Sequence, residues 1–505
     1  MKLKSLVLGS VAAAGLSTGA FAADLSVLTS LDVCDALGIS GLTISSDTNC
    51  LKISGNVSYA FNYGDYRNVA IPGTPSLGLN SQYNTIGSNW VFGTMDNDGV
   101  MDWESIVKWN LTFEASADSE FGTAKAVLTL KEERDLRQWS SNAAGAPVWA
   151  GADPNLSFGA GDTGVTIGTA RYYAPQISEA YVQIGDSIVL MAGRKGTIAA
   201  DGQDTPYNFL GLFGTTRTII ENAVSGGNGY ERAAMSPGVW VNHDIAGAPL
   251  MENDFRLGGD VIQATADLGN GFYVSGGLEN LGDTVSAYAG TLVGVVGYKG
   301  ETVSAHATVL ASGILDGVTT IADSIGFHGG VEARFDNFKV QGALAASNNR
   351  LTGLSWWHGV LTGMATFDMF ELAASVEASR SSAYANNDIG VGGSVGFKVT
   401  DDVVIRLGGR YYDSGIVAGN ADAMGEVAGE IAAAVTETVT LTGRIGGYID
   451  VAGAPGFFGA PGGTIGYARG TVAWAPGGGF KTAGSLEVQS TGGWRADFSA
   501  SKSFN

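Results

Sequence analysis

The sequence predicts an all-β fold, a transmembrane antiparallel up-and-down β-barrel, on three observations. Apolar and polar residues alternate at period two over stretches of ten or more residues, short turn clusters join these stretches in pairs with longer connections between the pairs, and aromatic residues gather at strand ends. Helical spanning is excluded, because after the first 20 residues no run approaches the roughly 18 uninterrupted apolar positions it needs. Glycine is abundant at 76 of 505 residues while proline is scarce at 11, which fits neither a collagen nor a disordered linker. The net charge is −21, and removing Lys2 and Lys4 with the leader leaves −23, so no basic footprint for nucleic acid exists.

Residues 1–22 have the three parts of a secretory signal peptide. Lys2 and Lys4 open it, Leu6 to Leu16 is a short apolar stretch, and Ala20-Phe21-Ala22 offers small residues at −3 and −1. The mature chain is therefore expected to be exported. Residues 23–50 then hold both cysteines, Cys34 and Cys50, for which a disulfide is the default reading in an oxidising compartment. A metal or catalytic thiol is the alternative, disfavoured because the histidines (His243, His306, His328, His358) lie far along the chain.

The barrel is expected over 51–505. From Leu51 to Tyr63 the odd positions include Leu51, Ile53, Val57, Tyr59 and Phe61, against Lys52, Ser54, Asn56, Ser58 and Asn62 on the even ones. The same alternation runs through Val107 to Ser116, Ile325 to Phe335, Phe338 to Ser347, Phe370 to Ser379, Val403 to Tyr412, Val439 to Asp450 and Trp494 to Phe504. Charged residues keep to the polar parity, with exceptions at Glu132, Arg134, Arg380 and Lys502, all near strand ends. A soluble sandwich also alternates, but ten or more residues is long for its strands and right for a tilted membrane strand of about 9 to 11. Aromatics at Trp356-Trp357, Phe367 and Phe370, and Tyr411-Tyr412 suit interfacial girdles. Short turns near 118–121, 185–186, 269–271, 299–300, 336–337, 368, 400–402, 437 and 476–480 imply 20 strands, and the largest connections are 64–103 and 197–254.

Several segments resemble the alphaproteobacterial outer-membrane porins, a family of general-diffusion porins. They are Val33-Cys34-Asp35-Ala36-Leu37-Gly38, Asp47-Thr48-Asn49-Cys50-Leu51-Lys52-Ile53-Ser54-Gly55, Glu179-Ala180-Tyr181-Val182-Gln183 with Ala192-Gly193-Arg194, and Gly269-Asn270-Gly271-Phe272. The resemblance implies a 16-stranded homotrimer passing small hydrophilic solutes, with outer-membrane lipid, lipopolysaccharide and the barrel-assembly machinery as partners and no cofactor. It also implies a third external loop folded inward as a constriction. The chain departs from the family in its length and in ending Ser503-Phe504-Asn505 rather than on the aromatic.

In order along the chain, residues 197–254 correspond to that constriction loop. It carries Asp201, Asp204, Glu221, Glu231, Asp244, Glu252 and Asp254 against Arg217 and Arg232. Opposite it the pore wall would present Lys52, Lys108, Lys125, Arg194, Arg406, Arg410, Arg444 and Arg495. An acidic loop facing a basic wall would set a transverse field, and the net acidity predicts a mild cation preference. The competing reading is that these are ordinary solvated charges.

Other chemistry is sparse. Asp96, Asp98, Asp102 and Glu104 form a weak calcium candidate without the spacing of an EF-hand, and an acidic surface loop accounts for them better. Gly390, Gly392, Gly393 and Gly396 lie in a strand-like stretch with no βαβ unit, against a dinucleotide site. No enzymatic motif is found. The sequence thus reads as an outer-membrane porin, not an enzyme, with a substrate-selective channel of the same fold, or a secreted all-β adhesin or surface-layer protein, as the alternatives.

Overall fold

The computed structural model describes residues 33–65, 85–86, 89–90, 101–141, 165–172, 175–200, 202–212, 257–282, 289–315, 323–350, 353–382, 387–414, 422–450, 464–490 and 492–505. The leader read over 1–22 falls outside them.

The strands are β1 (Leu42–Ser45), β2 (Cys50–Asp65), β3 (Thr85–Ile86), β4 (Asn89–Trp90), β5 (Asp102–Ser119), β6 (Gly122–Ser141), β7 (Val165–Tyr172), β8 (Gln176–Ile184), β9 (Ile188–Lys195), β10 (Gly259–Gly269), β11 (Phe272–Glu279) and β12 (Thr291–Lys299). They continue with β13 (Val303–Ser312), β14 (Ser324–Phe335), β15 (Phe338–Asn349), β16 (Leu354–Phe367), β17 (Phe370–Ser381), β18 (Asp388–Thr400), β19 (Val403–Ser414), β20 (Asp422–Ala434), β21 (Val439–Asp450), β22 (Thr464–Gly477), β23 (Phe480–Gln489) and β24 (Trp494–Phe504). No helix among the described residues is long and apolar enough to cross a membrane, a finding that says nothing about strands.

Neighbours pair antiparallel around the sheet, and β2 pairs with both β5 and β24, which closes it into a barrel. Both β7 and β8 pair with β6, β8 along Ala124–Lys131 and β7 along Arg134–Ser141, so together they make one wall strand. Pro175, which has no amide hydrogen to donate, stands in the interruption. The described wall therefore has twenty strands, as the nine short turns predict. The sixteen implied by the family resemblance is corrected, because all nine turns form tight hairpins at one end of the barrel. Asn270, Asp336 and Asp368 supply the left-handed backbone such hairpins need, at φ 52°, 37° and 40°. The other end carries the long connections, including 66–101 and 196–258.

Parity sorts the two faces of the wall. Val57, Val296, Leu361, Leu407, Ile445 and Leu486 are exposed on the outside, while their strand neighbours point inward. Such an apolar girdle greatly exceeds the few hundred Å² that soluble monomers expose. Of the exceptions to the charge rule, Lys502 lies near the end of β24, where its Nζ donates to the Gly478 carbonyl, but Glu132 and Arg134 fall in the middle of β6, which runs on to Ser141, and the Trp109 indole donates to Glu132 Oε2 at 2.9 Å there.

The amino-terminal segment is part of this wall. Cys34 and Cys50 form the expected disulfide. β1 pairs with β2 from Ile53 to Cys50, just below the place where β24 stops pairing at Gly55, so β1 continues the line of the last strand. The two ends nearly touch: a β-carbon on Gly41, at φ 117°, would lie 2.6 Å from the Asn505 carbonyl carbon. Leu42 and Ile44 extend the apolar exterior beside Ile53 and Leu51.

Candidate functional site: the lumen and its inward segment

The inward parity should be polar in a water-filled barrel, yet it carries Val293, Val295, Leu310, Ala343, Ala345, Val360 and Ile465, all buried. They are covered by the start of the long loop. Ile198, Ala199 and Ala200 pack on Val293, Val295 and Leu310, and Leu212 packs with Ala343, Ala345 and Val360. Phe209 and Leu210 pack with Ala428, Tyr448, Ile465 and Tyr467. The described part of the predicted constriction loop thus folds inward and runs along the lumenal wall from β12 to β22.

Polar contacts hold it at intervals. Glu279 Oε1 accepts the Ile198 amide at 2.9 Å and Glu279 Oε2 accepts the Gly258 amide at 2.7 Å. Thr308 Oγ1 accepts the Ala200 amide at 3.1 Å and donates to the Ala200 carbonyl at 2.8 Å. Thr362 Oγ1 accepts the Tyr207 amide at 2.9 Å. The Tyr207 hydroxyl lies 2.8 Å from Gln341 Oε1 and 3.3 Å from Glu332 Oε2, and Lys339 Nζ sits 4.5 Å above its ring. Burial first, and then the Glu332 carboxylate, push the Tyr207 phenol well above its ordinary pKa. Glycines on the wall allow the approach: a β-carbon at Gly408 would lie 2.7 Å from Phe209 Cε1, and one at Gly392 would lie 2.8 Å from Asn208 Nδ2. The glycine cluster noted in the sequence is therefore in part a seat for the loop.

The lumenal charges form ladders across neighbouring strands. Glu430 on β20 lies between Arg406 at 3.0 Å and Arg444 at 2.6 Å. Glu426 accepts from Arg410 Nε at 2.6 Å and from the Tyr467 hydroxyl at 2.6 Å. Arg469 lies 3.7 Å from Glu487 and 4.0 Å from Asp497, which also binds Arg495. On the adjoining arc of β2, β5 and β6, Lys125 meets Glu114 at 2.8 Å, Lys108 meets Glu133 at 3.5 Å, and Lys52 stands across from Glu114 in register. Burial differs from pair to pair rather than from arc to arc, for Arg406 and Arg444 are 31% and 33% exposed. Side chains of Arg410 and Glu426 are 1% and 2% exposed under the loop, whereas Lys125 and Glu114 are 31% and 30% exposed.

Lys52, Lys108, Lys125, Arg406, Arg410, Arg444 and Arg495 thus take the inward parity expected of them. Arg194 does not: on β9 it shares the parity of the outward-facing Ile188 and Leu190 and stands opposite Asp260 at the strand end, away from the lumen. Asp204 is buried in the inward segment, while Asp201, Glu221 and Glu231 lie outside the described residues, as do Asp96 and Asp98. Asp102 and Glu104 belong to β5 rather than to a surface loop. Glu104 is buried, and its Oε2 accepts Asn62 Nδ2 at 3.0 Å. Among the described residues no group of three or more metal-ligating side chains comes together. The anchors Glu279, Thr308, Thr362 and Gln341 escaped the sequence reading; valines, leucines and isoleucines on the polar parity were the available signal.

No family model and no curated protein matches the sequence. Among solved structures the chain is similar to OccAB4 of Acinetobacter baumannii, at 9% identity and TM-score 0.42, over 90% of this chain and 98% of that one. It is similar to a triple mutant of the Rhodopseudomonas blastica porin, at 13% and 0.33, over 90% and 100%. A third likeness is to OmpT, an outer membrane protein of Vibrio cholerae in trimer form, at 9% and 0.32, over 91% and 100%.

Proposed function

We propose that this protein is an outer-membrane porin, a water-filled channel for passive diffusion of small hydrophilic solutes and ions, working without a cofactor. The observation that carries this is the combination of a closed wall, apolar outside and charged inside, with a loop segment folded along the lumen. The apolar exterior speaks for a bilayer and against a secreted adhesin or surface-layer protein. The water path follows the arc of β2, β5 and β6, which the described inward segment, running from β12 to β22, does not cover. Wall arginines are compensated by wall carboxylates, so charge selectivity is weak, and the net −21 tilts it toward cations.

Membership of the alphaproteobacterial porins, a homotrimeric state, export by a cleaved leader, and engagement of lipopolysaccharide and the barrel-assembly machinery complete the proposal. Liposome swelling with sugars of graded size tests it. Rates that fall smoothly with solute size support general diffusion, a preference for one solute supports a substrate-selective channel, and no swelling contradicts both. A KCl-gradient reversal potential favouring anions contradicts the cation preference.

A further inference from the structure

Arg444 on β21 and Arg469 on β22 are register partners, and both face the lumen, on the parity opposite to the exposed Ile445 and Val472. Like charges directly across a strand pair repel, and the two guanidiniums turn apart. Arg444 reaches to β20, with Nη2 and Nε donating to Glu430 Oε2 at 2.6 and 3.0 Å. Arg469 reaches the other way: its Nη2 donates to Ser485 Oγ at 3.3 Å, with Glu487 at 3.7 Å and Asp497 at 4.0 Å. Both side chains keep part of their surface open to the lumen.

The register extends this pair into a row. Arg406, Glu430, Arg444, Arg469, Glu487 and Arg495 follow one another across β19 to β24, four cations against two anions. Asp497, in the row on the hairpin side, lowers that excess without cancelling it. The gap between the parted arginines has a defined border. On its hairpin side Thr442 and Thr471 stand opposite each other on the inward parity, and neither hydroxyl is engaged by another of the described residues. On its loop side the border is aromatic. Tyr467 leans across Gly446, where a β-carbon would lie 2.7 Å from its hydroxyl, and the Phe209 ring of the inward segment lies 5.3 Å from Arg444 Cζ.

We propose that Arg444, Arg469, Thr442 and Thr471 form an oxyanion seat on the lumenal wall, which takes the carboxylate or phosphate group of a small solute between the two guanidiniums. Each guanidinium holds five N–H donors, more than its wall contacts occupy. An oxyanion in the gap gains charge-assisted hydrogen bonds from both arginines, relieves their repulsion, and accepts from the two free hydroxyls. The seat lies where the inward segment ends and the uncovered arc begins, so its occupant narrows the path for ions. That consequence for current rests on the channel reading above; the binding itself does not.

Equilibrium dialysis of radiolabelled citrate and of radiolabelled phosphate against the folded, detergent-solubilised protein at low chloride tests the seat, beside bilayer recordings with citrate added to the KCl. The expected result is saturable binding, weakened on the order of tenfold in Arg469→Gln by the loss of charge-assisted donors and about threefold in Thr471→Val by the loss of one neutral hydrogen bond. Arg406→Gln removes an equal charge from the same row, two strands from Arg444, and should bind nearly as the wild type does. Tighter citrate assigns the seat to carboxylates, and tighter phosphate assigns it to phosphoryl groups. No saturable binding of either by the wild type overturns the seat, whether or not the variants fold. So does a folded R469Q that binds like the wild type, and so does an equal loss in R406Q and R469Q, which marks a diffuse field. Saturable binding by a protein that gives no openings in the bilayer removes the channel reading and leaves the seat standing.

Discussion

The carboxylate of Glu279 accepts the backbone amide of Ile198 at 2.9 Å, and its second oxygen takes the amide of Gly258 at 2.7 Å. One side chain on β11 therefore ties together the outgoing and returning stems of the longest connection. Gln263 completes the clamp, its Nε2 donating to Glu279 Oε1 at 2.8 Å and to the Gly196 carbonyl at 3.0 Å. Glu279→Ala strands three donors, at about 1–3 kcal/mol for each that water does not reach. The expected outcome is a barrel that still forms, with larger and noisier unitary conductance in bilayer recordings. Glu279→Gln, which keeps one acceptor oxygen, should fall between it and the wild type.

Docking of the loop at Tyr207 has a defined pH dependence. Its phenol is held neutral by burial and by Glu332, so its docked pKa exceeds the undocked value of about 10. Docking is then at full strength below that pH and weakens above it, because the undocked phenol ionises first. Titrating tyrosinate absorbance should show a high-pH ionisation in the wild type that is absent from the Tyr207→Phe variant, and Y207F should weaken the docked loop by about 1 kcal/mol.

Inside and outside can be told apart by neighbouring positions on one strand. Leu486 faces outward, half exposed, while Ser485 faces inward and donates to Asp497 Oδ2 at 2.9 Å. Leu486→Arg should lower barrel stability by about 2–4 kcal/mol near the bilayer midplane, read as a lower temperature for loss of heat-modifiable gel migration. Ser485→Arg should leave that temperature nearly unchanged and shift the reversal potential toward anions.

Reducing the Cys34–Cys50 bond should act locally. The bond stabilises by about 3 kcal/mol in the chain-entropy account for a loop of this size, and that stabilisation acts on β1 and its seam with Asn505. Hydrogen exchange of residues 41–45 should accelerate on reduction while β10 to β20 keep their protection.

Much of the wall was legible because period-two alternation reports directly which face a residue takes. Leu51 to Tyr63 or Phe338 to Ser347 show the two faces without any knowledge of neighbours, and tight turns such as Asp336-Asn337 mark where each hairpin reverses. On β9 the run Ile188-Val189-Leu190-Met191-Ala192 is apolar on both parities, so it carried no sign of where Arg194 points. The ion pairs depend on register: Arg406 meets Glu430 because β19 and β20 align those positions, a match invisible until the strands are paired. The loop anchors depend on barrel curvature, which brings Tyr207 to Thr362 across 155 positions. Their trace in the sequence was a set of apolar residues on the polar parity, which reads as noise until a second layer is known to cover them.

The central claim is a conducting barrel narrowed by an inward loop. Unitary conductance in planar bilayers, compared between the wild type and a variant whose residues 197–254 are replaced by a short turn, tests it most directly. The account predicts stepwise openings from both proteins, with the larger conductance in the shortened one. Folded barrels that give no openings, or equal conductance from the two, would contradict it.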